Sequence, residues 1–195
     1  MRRRVFAWGA VGLIFAALGG CATPHITPAS AASDTLAVAG RLSLVSGPPD
    51  AQKALYGGFR LELRGADSGE FEVFSPLGQM LARARWSPGQ AKLNDGRQTQ
   101  TYASFDAMTR AALGVALPQA ALQDWVRGKP ASGLPVQHLA DGSFEQLGWQ
   151  VQPTWRDGSL ALLKAQRAGA DPAELRMVIE SATPQDKSAG TAGAN

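Results

Sequence analysis

Residues 59–74 read Phe59-Arg60-Leu61-Glu62-Leu63-Arg64-Gly65-Ala66-Asp67-Ser68-Gly69-Glu70-Phe71-Glu72-Val73-Phe74. Phe59, Leu61 and Leu63 alternate with Arg60, Glu62 and Arg64. Phe71 and Val73 alternate with Glu70 and Glu72. Successive side chains of a strand point to opposite faces, so each run has one apolar and one charged face. Gly65-Ala66-Asp67 between them is a turn signal. The pair therefore reads as an antiparallel hairpin with one face on a core and one in water.

The same period extends outward. Val38, Gly40, Leu42 and Leu44 alternate with Ala39, Arg41 and Ser43, and Met80, Ala82, Ala84 and Trp86 alternate with Leu81, Arg83 and Arg85. Trp149 and Val151 alternate with Gln150 and Gln152; Leu175, Met177 and Ile179 alternate with Arg176, Val178 and Glu180. Ser87-Pro88-Gly89, Asn94-Asp95-Gly96, Asp141-Gly142 and Asp157-Gly158 supply further turns. Roughly ten short antiparallel strands of this kind make a barrel or a strongly curved sheet. The period changes only over residues 104–127, where it becomes helical. Ser104 is a candidate N-cap for a helix holding Phe105, Met108, Ala112 and Leu113, with Gly114 near its end. Pro118 is expected in the first turn of a second helix containing Leu122, Trp125 and Val126, which Gly128 and Pro130 terminate. The expected fold is mainly β with a helical insertion. That insertion is the candidate lid over the sheet's apolar face, through Met108, Leu113, Leu122 and Trp125.

The N-terminus adds a location. Arg2, Arg3 and Arg4 precede about 14 apolar residues, the length of a signal-peptide core and short for a bilayer span. Gly19, Gly20 and Cys21 follow, and Cys21 is the only cysteine. This ending resembles the lipobox of bacterial lipoproteins. The resemblance implies that Cys21 receives a diacylglyceryl group, becomes the new N-terminus and is N-acylated. Ala22 resembles the outer-membrane default of such proteins. The expected division is a cleaved signal peptide (1–20), an acylated cysteine and flexible tether (21–35), one folded domain (36–183) and a disordered tail (184–195). The tether would span at most about 50 Å extended, or roughly 20 Å as a coil.

Composition excludes several function classes. Without Arg2, Arg3 and Arg4, the 19 basic side chains fall to 16, equal to the 16 acidic ones. Strong nonspecific nucleic-acid binding then lacks electrostatic support. With Cys21 acylated, no thiol remains for a disulfide, a nucleophile or zinc. Neither a Gly-x-Ser-x-Gly elbow nor a His-Glu-x-x-His or phosphate-loop motif is present. His25 falls in the tether, and His138 in Pro135-Val136-Gln137-His138-Leu139 reads as an exposed strand position. Glu70 and Glu72 share a face, most simply a solvated one rather than a glycosidase pair. No enzyme, metal or cofactor is expected.

Phe74-Ser75-Pro76-Leu77-Gly78 joins two alternating runs. Pro76 and Gly78 favour a tight turn, which leaves Leu77 at a tip where polar residues are usual. Two readings stay open from the residues: Leu77 folds back on the core or is an ordinary exposed leucine, or it is an apolar fingertip that enters lipid.

The ordered strings Gly40-Arg41-Leu42-Ser43-Leu44, Ser75-Pro76-Leu77-Gly78, Leu113-Gly114-Val115-Ala116-Leu117-Pro118, Leu122-Gln123-Asp124-Trp125-Val126-Arg127-Gly128-Lys129-Pro130 and Leu147-Gly148-Trp149-Gln150-Val151, behind a lipobox, resemble the LolB family, the outer-membrane lipoprotein receptors of Gram-negative bacteria. The resemblance implies a half-open antiparallel β-barrel with a helical lid over an apolar cavity. It implies a monomer on the periplasmic face of the outer membrane that accepts acylated lipoproteins from the periplasmic carrier LolA and inserts them into the inner leaflet. The family's apolar insertion residue maps onto Leu77, between Pro76 and Gly78. Candidate cavity residues are Phe59, Leu61, Leu63, Phe71, Val73, Trp149, Val151, Leu175, Met177 and Ile179. The chain departs from the family pattern in its Ala/Gly-rich end. The alternatives are a passive outer-membrane lipoprotein serving as an envelope scaffold or binding a small hydrophobic ligand, and a lipid-modifying enzyme.

Overall fold

The structure is a computed structural model that describes residues 35–185. The chain enters on β1 (Thr35–Ser46) and turns back as β2 (Lys53–Arg64). It continues through β3 (Ser68–Phe74), β4 (Met80–Ser87), β5 (Gln90–Asn94) and β6 (Thr99–Tyr102). Two helices follow, α1 (Phe105–Leu113) and α2 (Gln119–Trp125). The chain then forms β7 (Gln137–His138), β8 (Phe144–Gln146), β9 (Trp149–Arg156), β10 (Ser159–Arg167) and β11 (Ala173–Gln185). All the strands form one sheet in the order β6-β5-β4-β3-β2-β1-β11-β10-β9-β8-β7. The sheet does not close, so β6 and β7 are its edges. This is the mainly β sheet with a helical insertion that the periodicity predicts, left open as the family resemblance implies.

Every neighbour in this sheet is a hairpin partner except one pair. β1 runs antiparallel to β2 on one side and to β11 on the other, from Thr35 to Ser46 on both. It is the seam that joins the two halves of the meander. Leu36, Val38, Leu42 and Leu44 of β1 are buried on the face shared with Phe59, Leu61, Leu63, Leu175 and Met177. β1 takes in Thr35, and β11 takes in Pro184 and Gln185; these are the last residue expected in the tether and the first two expected in the tail. The signal peptide, Cys21 and the remainder of both segments lie outside the described residues.

β10 does not alternate as β2 and β3 do. Its run Leu160-Ala161-Leu162-Leu163 lies across a register shift against β9 between Leu160 and Leu162. A bulge puts an extra residue into one strand and breaks period two, so this strand lacks the hairpin-like signal of its neighbours. Leu163 and Ala165 are nevertheless fully buried.

The β1–β11 seam has its own irregularity between Ala39 and Gly40. A Cβ on Gly40 would lie 1.9 Å from the Val178 carbonyl oxygen, so only glycine lets the two backbones approach there.

The wet face of β2, β3 and β4 carries a ladder of charge. Arg85 Nε is 2.8 Å from Glu70 Oε2, Arg83 Nε is 3.1 Å from Glu70 Oε1, and Arg64 Nε is 2.7 Å from Glu62 Oε1. Arg83 also pairs with Glu72, and Arg60 lies 5.0 Å over the Phe74 ring. The sequence places these residues opposite one another, because Glu70 pairs with Arg85 and Glu72 with Arg83 in the register. The hydrogen bond from Arg85, reinforced by the charges of Arg83 and Arg64, holds the Glu70 carboxyl below its usual range. Exposed pairs contribute little one at a time.

Gly40→Ala should lose about 2–3 kcal/mol of stability through forced separation of β1 from β11, read by denaturant unfolding. For Glu70, the lowered pKa means its contribution is complete above the ordinary carboxylate range and is lost as pH falls through the lowered value. The melting temperatures of wild type and Glu70→Gln should therefore differ most near neutral pH and converge in acid.

Candidate functional site

The helical insertion starts at Ser104, whose extended backbone and side chain cap α1: its Oγ accepts from the Ala107 N–H at 3.1 Å. Gly114 ends the helix in the left-handed conformation at φ 79°. Phe105 and Met108 are the helix's buried apolar residues, and the Phe105 ring lies 4.6 Å from that of Trp86. The carbonyl-rich end of α1 is fastened to the sheet. Ser46 Oγ donates to the Leu113 carbonyl, and Lys53 Nζ lies 3.4 Å from the Ala112 carbonyl. A cation is favoured there by the helix dipole.

Pro118 is the N-cap of α2, outside the first turn where the sequence puts it. Proline has no side-chain acceptor, so capping passes to the preceding helix. Asp106 Oδ1 accepts from the Gln119 N–H at 3.0 Å, and Thr109 Oγ1 accepts from the Leu117 N–H at 3.0 Å. The two helices are thus tied to each other as well as to the sheet.

A buried amide fastens α2. Gln146 of β8 is 2% exposed. Its Oε1 accepts from Trp125 Nε1 at 3.0 Å and from the Ala131 N–H at 2.8 Å. Its Nε2 donates to the Ala131 carbonyl at 3.0 Å and the Leu134 carbonyl at 3.4 Å. Every polar position of the side chain is used, which a buried amide requires. The Trp125 ring meets the Trp149 ring edge-on at 6.3 Å. Sequence reasoning missed Gln146. Its only signal is its inward position, two residues from buried Phe144.

Between these fastenings an apolar cavity of about 160 Å³ remains. Leu61, Phe71, Val73, Leu175 and Met177 line it from the sheet; Met108, Leu113 and Leu122 line it from the helices. Leu42, Leu44, Leu55, Ala82, Ala84 and Leu93 complete the sheet side; period two reveals their face but not their position beneath the helices. Phe59, Leu63, Trp149, Val151 and Ile179 do not line it. Phe59 stacks on Phe71 at 5.8 Å, and Trp149 is covered by Trp125, which seals the core beside the cavity. Leu63 and Val151 are buried in the core, and Ile179 packs against it. A larger depression of about 850 Å³ opens at the end of the sheet, where Gln137, Gln150, Gln166 and Glu174 give it a mixed, solvated lining.

Leu77 stands apart. The Ser75 N–H donates to the Gln79 carbonyl at 2.8 Å, and the Gly78 N–H donates to the Ser75 carbonyl at 2.9 Å. Ser75 Oγ also accepts from the Leu77 and Gln79 N–H groups at 3.3 and 3.2 Å. Gly78 takes φ 80°, which completes a three-residue hairpin loop. On this locked turn Leu77 is 87% exposed. It does not fold back on the core.

His138 is exposed on the edge strand β7. Glu70 and Glu72 are held by arginines in the ladder described above. Among the described residues no cluster of three or more His, Cys, Asp or Glu could hold a metal.

A family model described as "Outer membrane lipoprotein LolB" matches residues 34–181. The chain is 34% identical to the outer-membrane lipoprotein LolB of Bordetella petrii, over 93% of this chain and 94% of that protein. It is likewise 34% identical to that of Ralstonia nicotianae, over 72% of this chain and 77% of the relative. Among solved structures, a LolA superfamily protein from Nitrosomonas europaea aligns with 79% of this chain and 87% of its own, at a TM-score of 0.45 and 10% identity.

Gln146→Leu keeps the volume and removes the amide. It leaves the Trp125 Nε1–H and both Ala131 backbone groups buried without partners. The expected loss is about 3 kcal/mol, measured by urea unfolding, with increased amide exchange in α2.

Proposed function

Since the chain belongs to the LolB family of outer-membrane lipoproteins, which are lipoprotein-trafficking receptors and not enzymes, we propose that it accepts acylated lipoproteins from the carrier LolA and inserts them into the inner leaflet of the outer membrane. Cys21, carrying diacylglyceryl and N-acyl groups, anchors it there. One observation carries this reading: a cavity of apolar side chains under the helical pair, paired with a leucine held outside on a locked turn.

The energetics are those of a lipid that cannot cross water alone. At about 0.8 kcal/mol per buried methylene, two or three acyl chains represent on the order of tens of kcal/mol. A carrier and a receptor that each shelter the chains remove that barrier, and downhill transfer requires no bond chemistry. An apolar void of about 150 Å³ holds a benzene-sized molecule. A cavity of about 160 Å³ therefore takes a segment of one chain. Receipt of more requires α1 and α2 to move off the sheet, and the Ser46, Lys53 and Gln146 fastenings define what must yield or hinge.

Delivery then falls to Leu77. A leucine entering the apolar layer gains roughly 1.5–3 kcal/mol, whereas a carboxylate there is costly to dehydrate. Because the side chain makes no core contact worth keeping, its replacement should spare the fold.

Leu77→Glu should melt within about 1 °C of wild type, since surface changes of this kind stay within roughly 0.5 kcal/mol. It should take lipoprotein from LolA at the wild-type level and release it into vesicles at least about tenfold more slowly. A two-step transfer assay, carrier to receptor and then receptor to vesicle, reads both halves. Wild-type delivery by the mutant would remove the fingertip role, and failure of both halves would remove the separation of receipt from delivery.

A further inference from the structure

Two hairpin turns in this sheet share one backbone shape. Asp157 and Gly158 join β9 to β10 with φ 51° and 76°. Leu147 and Gly148 join β8 to β9 with φ 54° and 76°. A two-residue turn with both φ positive favours Asn-Gly or Asp-Gly, because a short polar side chain tolerates the left-handed region. Asp157 obeys that rule. Leu147 does not, and it offers the turn no hydrogen bond in return. These are the only non-glycine residues with positive φ among those described. The reason for a leucine at this site therefore lies outside the turn.

Its surroundings point to one. Leu147 is 44% exposed, and Val136, which lines the same 850 Å³ depression, is 39% exposed. Following the antiparallel strands, the β8–β9 turn opens on the same end of the sheet as the β3–β4 turn that carries Leu77. Tyr56, Met80 and Leu81 are exposed toward that end as well. Of the eight large hydrophobics that the described residues expose, only Trp155 and Val178 lie elsewhere. The opposite end presents Gly65-Ala66-Asp67, Pro88-Gly89, Asp141-Gly142 and Asp157-Gly158 at its tips. The Leu77 end also carries polar turns at Pro48-Pro49-Asp50, Asp95-Gly96-Arg97 and Gly169-Ala170-Asp171, so its exposed apolar side chains are concentrated at two places, the β3–β4 turn and the β8–β9 turn with its neighbours.

We infer that Leu147, with Val136 of the same depression, is a second lipid-contacting tip, so that this end of the sheet meets the membrane surface at two places. The inference rests on the reading of Leu77 as the first. Six inter-strand steps separate the two turns, about 29 Å measured along the sheet. Two separate contacts restrict the tilt of the domain on the bilayer more than a single fingertip on a flexible tether does. They make the approach of the cavity to the lipid repeatable from one delivery to the next.

The test uses the full, acyl-anchored chain in phosphatidylethanolamine–phosphatidylglycerol vesicles. Leu147→Cys, Leu77→Cys and Asp157→Cys each carry a nitrobenzoxadiazole fluorophore, with unsubstituted chain as the labelling blank. The probe at 147 should shift to the blue and be quenched by doxyl-labelled lipid, while that at 157 is not. Quenching at 77 without quenching at 147 overturns this inference and leaves the Leu77 reading standing. Quenching at neither overturns both, and quenching at 147 alone removes the Leu77 reading and with it the two-point contact. Leu147→Asn gives an independent reading, because asparagine suits the left-handed turn better than leucine. It should melt no lower than wild type and deliver lipoprotein to vesicles about tenfold more slowly. Wild-type delivery by Leu147→Asn would overturn the inference.

Discussion

An open sheet has an apolar face that its own strands cannot cover, and the rest of this molecule answers that constraint. A barrel would bury the face by closing on itself. Here the edges β6 and β7 stay apart, and the chain between them supplies the cover as α1 and α2. The cover is fastened by polar bonds at its margins: Ser46 and Lys53 to the end of α1, and Gln146 to Trp125 and Ala131. The middle is left to apolar contact, and that is where the cavity lies. Directional bonds at the rim fix the register of the helices on the sheet, and the nondirectional contact at the centre does not.

The same division of labour separates the two faces of the sheet. Under the proposed function the inner face would hold acyl chains without specificity, since burial is proportional to area and blind to sequence. The outer face of β2, β3 and β4 is a ladder of Arg and Glu pairs matched by register. It keeps the wet side of a long sheet soluble. Leu77 and Leu147, on two turns at one end of the sheet, are the exceptions to that polarity.

Much of this was legible in residues 59–74 and the runs around them. Period two is a property of strand geometry, so Phe59, Leu61, Leu63, Phe71 and Val73 declare a buried face whatever lies opposite. The Ser104 cap and the Gly114 stop are equally local, and both occur where the sequence puts them. β10 was obscured because a bulge breaks the alternation. Pro118 was misplaced by one position because its helix takes its cap from Asp106, on another helix.

By itself the sequence determined the strands, the helical interruption, the amphipathic faces and a leucine at the tip of a Pro-Leu-Gly turn. Each follows from interactions within a few residues of one another. Only the tertiary structure decided which apolar residues line the cavity, that Trp149 is covered by Trp125, and that Gln146 is the joint between lid and sheet. It alone brought Leu77 and Leu147 to one end of the sheet. Those outcomes depend on where a strand is crossed by a helix distant in the chain, and on which turns share an end. A two-residue period carries the face of a side chain but neither its height along the strand nor the element that covers it.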